Sequence, residues 1–163
     1  MSIHEGGCVC GAIRYAVSAD PAHVTICHCK FCQRATGSAY MVEPIFELVD
    51  LRIIQGEPTA YNHRSAGSGK IVHIHFCRNC GTKIYLSFER FSGRCGIYAG
   101  PFDDPNWFAI EPGSPRHIFI DEARHDTILP ANIKLFAQHT TLNDGTPLEP
   151  VLFKDPHVIR SGE

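Results

Sequence analysis

The chain has 163 residues, 44% of them hydrophobic and 20% charged, and a formal net charge of −2. Such a length fits a single domain over residues 1–163 that buries about 70% of its unfolded surface, and the absence of any Lys/Arg run argues against a nucleic-acid-binding face. No apolar run approaches the ~20 residues of a membrane span, and Met1 to Gly7 lacks the basic and apolar regions of a signal peptide, so a cytoplasmic, reducing location is expected, where disulfides are rare.

In chain order, short β-like runs between Gly, Pro, Asn and Asp punctuation predict strands at 12–17, 39–42, 48–54, 70–76, 82–88, 96–99 and 117–120. A helical turn is predicted over residues 30–36, stopped by Gly37, and another short helix over 121–125. The pattern is mainly β, with short strands joined by metal-binding loops.

Seven of the eight cysteines fall in three clusters: Cys8 and Cys10; Cys27, Cys29 and Cys32; Cys77 and Cys80. Thiols this close suit a soft divalent metal, because sulfurs on one short loop converge on one point. The first and third clusters echo each other: Cys10-Gly11-Ala12-Ile13-Arg14-Tyr15 resembles Cys80-Gly81-Thr82-Lys83-Ile84-Tyr85. A glycine after the second cysteine permits a left-handed backbone that turns amides toward the sulfurs. Two such knuckles pair as a closed four-sulfur zinc site of structural character, made of Cys8, Cys10, Cys77 and Cys80. The middle cluster offers three sulfurs, Cys27, Cys29 and Cys32. It leaves a fourth position for water, a thiol or a remote side chain such as a histidine or Cys95. Two zinc ions per chain are expected, with iron as the alternative thiolate metal.

Other residues have plainer readings beside functional ones. Strand alternation puts His73, His75 and Cys77 on one face; the two histidines are either metal-facing donors or hydrogen-bonded groups on a half-exposed strand. His28, between two ligand cysteines, is expected to be exposed by its loop. Cys95 reads as a buried small thiol, and Asp103-Asp104-Pro105 as a turn rather than a catalytic carboxylate. Lys30, Arg34 and Arg78 are cations near the clusters, either solvated or facing an anionic substrate.

The ordered clusters resemble the glutathione-dependent formaldehyde-activating (Gfa) family, related to centromere protein V. The resemblance rests on Gly7-Cys8-x-Cys10-Gly11-x-Ile13-Arg14-Tyr15, on Cys27-His28-Cys29-x-x-Cys32 with Arg34 and Gly37-Ser38, on Phe76-Cys77-x-x-Cys80-Gly81-Thr82, on Asp103-Asp104-Pro105 and on His117-Ile118. It covers about residues 6–120. It implies a β-tent fold of small antiparallel sheets organised around zinc, with few short helices. It also implies a structural zinc on Cys8, Cys10, Cys77 and Cys80 and a catalytic zinc on Cys27, Cys29 and Cys32. The implied activity is that of a carbon–sulfur lyase joining or cleaving a thiol such as glutathione and a small aldehyde such as formaldehyde. The implied partners are these small molecules, with no nucleic acid or membrane and with an oligomer left open. The alternative is a non-catalytic protein-interaction module with two structural zinc sites. Arg124-His125-Asp126-Thr127 stands where many members carry a Trp, and the proline-containing tail, about 127–163, forms an atypical extension that caps the site, builds a subunit contact or wraps the domain.

Overall fold

The computed structural model describes residues 3–109 and 115–160. Strands β1 (His4–Gly7), β2 (Arg14–Val17) and β3 (His23–Cys27) precede α1 (Lys30–Thr36), the one α-helix among the described residues. Strands β4 (Met41–Glu47), β5 (Leu51–Gln55), β6 (Thr59–Arg64), β7 (Ile71–Phe76), β8 (Lys83–Phe88) and β9 (Arg94–Ile97) follow. After them come β10 (Arg116–Ile118), β11 (Ile128–Leu129), β12 (Lys134–Leu135) and β13 (His157–Val158). The fold is mainly β, in small sheets. No helix among the described residues is long and apolar enough to cross a membrane.

The chain divides into two compact units, the first of residues 1–23 and 43–109, the second of residues 24–42 and 110–163. In the first, β1, β2 and β5 form an antiparallel sheet, while β4, β9, β8, β7 and β6 pair successively, also antiparallel. Tyr15, Val17, Ile84, Cys95 and Ile97, each 0% exposed, centre its core, and Cys8 and Cys77 belong to the same cluster. The glycines of β1 are a packing requirement: a methyl on Gly6 would collide with the Tyr15 hydroxyl and the Pro101 carbonyl.

In the second unit, β10 lies between β3 and β12, parallel to both, and β11 pairs with β13. The tail is thus part of this unit, joined to it through short strand pairings. Leu129, Ile133 and Leu135 are buried with Ile120, Phe153 and Ile159 packed against them.

The expected helix over 30–36 is α1, and Gly37 caps it in the left-handed conformation at φ 69°. The single strand expected at 48–54 is instead a 3₁₀ turn, Leu48–Asp50, followed by β5. The expected helix at 121–125 is a 3₁₀ turn at Ile120–Glu122, because Phe119 ends β10 in the left-handed region at φ 57°. Strands β1, β3 and β6 lacked a clear period-two signal in sequence.

Candidate metal centres

The two outer knuckles have one local design. The Cys8 amide donates to the Ile13 carbonyl at 3.0 Å and the Cys77 amide to the Thr82 carbonyl at 2.9 Å, each five residues on. Gly11 and Gly81 both sit at φ 74°, where a side chain would be strained. Their amides close the turns onto the carbonyls of Cys8 and Cys77. Thr82 links the two loops: its hydroxyl accepts from the Val9 amide at 3.2 Å and lies 3.2 Å from the Cys80 sulfur. The Thr82 hydroxyl and amide hold the Cys80 thiol down at about 5. The Ile13 amide donates to the Cys8 sulfur at 3.2 Å.

These turns bring Cys8, Cys10, Cys77 and Cys80 together, with all four sulfurs within 4.8 Å of one another. Cys8 and Cys77 are buried; Cys10 and Cys80 are exposed. Cys8 and Cys10 approach to 3.5 Å, Cys10 and Cys77 to 3.7 Å. Four sulfurs with amides and a hydroxyl aimed at them form a donor set that could hold a soft metal ion.

The second cluster joins the end of β3 to the start of α1. Cys27 is the last residue of β3, and Cys29 is the N-cap of α1, its sulfur accepting from the Cys32 amide at 3.4 Å. The Cys27 thiol donates to Cys29 at 3.4 Å. The sulfurs of Cys27, Cys29 and Cys32 lie within 4.8 Å of one another, and no fourth Cys, His, Asp or Glu among the described residues completes the group. Hydrogen bonds from Cys27 and Cys32, aided by the amides of Cys32 and Phe31, lower the Cys29 thiol to about 3. Cys27 and Cys32 are driven well up by sharing protons with their neighbours and by burial. A thiolate at a helix N-terminus, flanked by two thiols, is a ready metal-binding group.

His28 departs from its expected exposure. It is 0% exposed, with its Nε2 2.9 Å from Nδ1 of His117 and its ring 5.3 Å from that of Tyr40. Burial is the main cause that lowers both histidines to about 4, so the pair is neutral near pH 7 and shares a proton in its hydrogen bond. The His28 amide also donates to the Ile118 carbonyl. Gln33 donates from Nε2 to the carbonyls of His28, at 2.5 Å, and Glu122, at 2.9 Å. The Glu122 carboxylate accepts from the Lys30 amide in the first turn of α1. Sequence reasoning missed Gln33 and Glu122 altogether and gave His117 no role. His117 stands 89 residues from His28, and the one signal available was its place in the quoted motif.

The remaining candidates have structural partners. His73 Nδ1 lies 2.7 Å from Asn62 Oδ1, and His75 Nε2 lies 3.0 Å from Ser87 Oγ, its ring stacked on Tyr85. The register irregularity beside His75 and Phe76 falls on β8, where Tyr85 and Lys83 face these consecutive β7 residues, and neither histidine joins the four-thiol group. Cys95 is 0% exposed, and burial raises its thiol to about 12. Arg14 donates to both oxygens of Asp103 and to Glu5, and that guanidinium holds the Asp103 carboxyl below its usual range. Asp104 accepts from the Asn106 amide, as a turn residue does. Lys30 Nζ donates to Gln33 and Arg78 Nε to Thr59.

A mainly β protein with one four-thiol and one three-thiol cluster defines a class of candidate metalloproteins. The chain belongs to the glutathione-dependent formaldehyde-activating enzyme family, whose sequence profile matches residues 3–122. It is 25% identical over 91 residues to an uncharacterized lyase of Schizosaccharomyces pombe, covering 54% of this chain and 60% of that protein. It is 24% identical over 102 residues to a Halomonas elongata protein named for glutathione-dependent formaldehyde activation, covering 61% and 65%. The chain thus spans less than two thirds of the length of these relatives. A crystal structure of a Rhodobacter sphaeroides protein shares the fold at a TM-score of 0.50 and 24% identity, covering 61% of this chain and 87% of that one.

Proposed function

We propose that the protein is a zinc-dependent carbon–sulfur lyase-type enzyme that joins or cleaves a glutathione-like thiol and a small aldehyde. In this reading Cys8, Cys10, Cys77 and Cys80 hold a structural zinc, and Cys27, Cys29 and Cys32 hold the catalytic one. The observation that carries it is the contrast in donor number: four sulfurs fill a tetrahedral ion, whereas three leave a position for a reactant. The names of the two curated relatives support the same chemistry.

A bound zinc would supply Lewis acidity, polarising a carbonyl oxygen or favouring the thiolate form of a thiol. The chain's own residues do the rest. Cys29, ionised at the N-cap of α1, is a ready anionic ligand, and burial of Cys27 and Cys32 excludes water from two sides of the cluster. Cys29 is the half-buried member, so reactants approach on its side. In the reaction a sulfur–carbon bond forms, the carbonyl π bond breaks and the thiol proton ends on the former aldehyde oxygen; cleavage is the reverse.

The test is NMR detection of the S-hydroxymethyl adduct after zinc-loaded protein is mixed with glutathione and formaldehyde. Adduct formation faster than the spontaneous reaction is expected. No acceleration across several thiols and aldehydes would leave the non-catalytic module as the reading.

A further inference from the structure

We infer that the buried His28–His117 hydrogen bond is a positioning lock that holds the three-thiol loop in its ligand geometry from behind. The inference deepens the reading of Cys27, Cys29 and Cys32 as a metal site and rests on it.

The strand register places the lock. His117 pairs with Ile26 and Ile118 with Cys27 in the parallel β3–β10 ladder, which the His28 amide extends by donating to Ile118. The backbone is still extended at Cys29, with φ −63° and ψ 155°. Side chains along an extended segment alternate, so Ile26 and His28 take one face while Cys27 and Cys29 take the other. His117, opposite Ile26, shares the His28 face. The two sulfurs are 3.4 Å apart, and the alternation assigns them to the face opposite the ring pair.

His28 is therefore the pivot between two ligands, and turning it would swing both. Its ring is fixed by one side-chain hydrogen bond, between Nε2 and Nδ1 of His117, because its own Nδ1 has no hydrogen-bond partner among the described residues. Neither ring is a member of the cluster itself. The pair acts through the backbone of Cys27 and Cys29, not as additional ligands. Its other half, His117, is braced in turn: its carbonyl accepts from the Phe136 amide, and β12 pairs alongside. The geometry of the middle cluster thus depends on a residue late in the chain and on the tail that supports it.

Cadmium-loaded protein read by ¹¹³Cd NMR during titration with EDTA tests the lock, because it reports each cluster separately and needs no turnover. Outer residues that orient metal ligands are worth about 10–100-fold in affinity. His28→Phe, which keeps the ring volume and removes the hydrogen bond, is expected to surrender the three-thiol resonance at an EDTA concentration lower by about that factor. The four-thiol resonance is expected to stay unchanged. His28→Gln, whose amide reaches the Nε2 position, is expected to restore most of the loss. Retention equal to wild type in His28→Phe would overturn the inference. If that variant does not fold, His28→Gln against His28→Asn decides: the shorter amide cannot reach His117, and equal retention by the two would overturn it. If the middle cluster takes up no cadmium even in wild type, the metal reading of Cys27, Cys29 and Cys32 fails. Iodoacetamide alkylation of the buried Cys27 and Cys32 then tests the lock alone, with faster labelling in His28→Phe expected and equal rates overturning it.

Discussion

Gly11 and Gly81 carry the same φ of 74° at equivalent places in the two knuckles, and a methyl added at either meets nothing within 4 Å. An alanine at either position therefore bears only the backbone cost of the left-handed region, about 1–2 kcal/mol. Gly11→Ala and Gly81→Ala are expected to lower the urea midpoint by similar amounts; a near-neutral result at either would mean its knuckle does not need that turn. His28 and His117 set a different residue-scale expectation. Burial lowers each from 6.5 to about 4, so between these pH values the unfolded chain binds protons that the folded chain does not. Their contribution is complete above pH 6.5 and is lost as the pH falls toward 4, at up to about 1.4 kcal/mol per pH unit for each group. Urea unfolding at pH 7 and pH 5 should show this loss, and His117→Leu should show a shallower one. An unchanged pH dependence in the variant would mean that His117 is not the neutral buried group described.

At the scale of elements, α1 was legible because its signals are local: seven residues without a helix breaker and a glycine stop. The knuckles were legible for the same reason, since each is complete within about six residues. Strand β1 was not, because its two glycines have low strand propensity and are required by residues outside the strand, Gly6 by Tyr15 and Pro101 and Gly7 by Ile13 and Arg14. Strand β3 hides in a run that is buried on both faces and has no alternation to read. The tail is an element-scale result as well, since nothing local marks β12 as a strand; its partner β10 makes it one. Leu135, 0% exposed at the centre of the tail cluster, provides the check. Leu135→Ala should cost about 2–5 kcal/mol in a denaturant titration, whereas a tail that merely lay on the surface would lose almost nothing.

For the whole molecule, the two clusters should fail differently. The four-thiol cluster joins segments about seventy residues apart and shares its buried cysteines with the core of the first unit, so a metal ion held there would be coupled to folding. The three-thiol cluster spans six residues already tied by β3, β10 and α1. Cys80→Ser is expected to lower the melting temperature strongly and to make the protein sensitive to chelator. Cys29→Ser is expected to lose one metal equivalent and the adduct-forming activity with little change in melting. If Cys29→Ser unfolds as readily as Cys80→Ser, the middle cluster is architectural.

The sequence by itself determined the grouping of seven thiols, because ligand spacing and the turn-forming glycines are short-range properties. It also carried the family, through an ordered set of motifs that survives low overall identity. Only the tertiary structure decided what stands behind those thiols. His28 looked like a loop residue and is a buried partner of His117; Asp103 looked like a turn acid and is an ion-pair partner of Arg14. Each depends on a residue 89 positions away, brought there by strand pairing that local residue patterns do not encode.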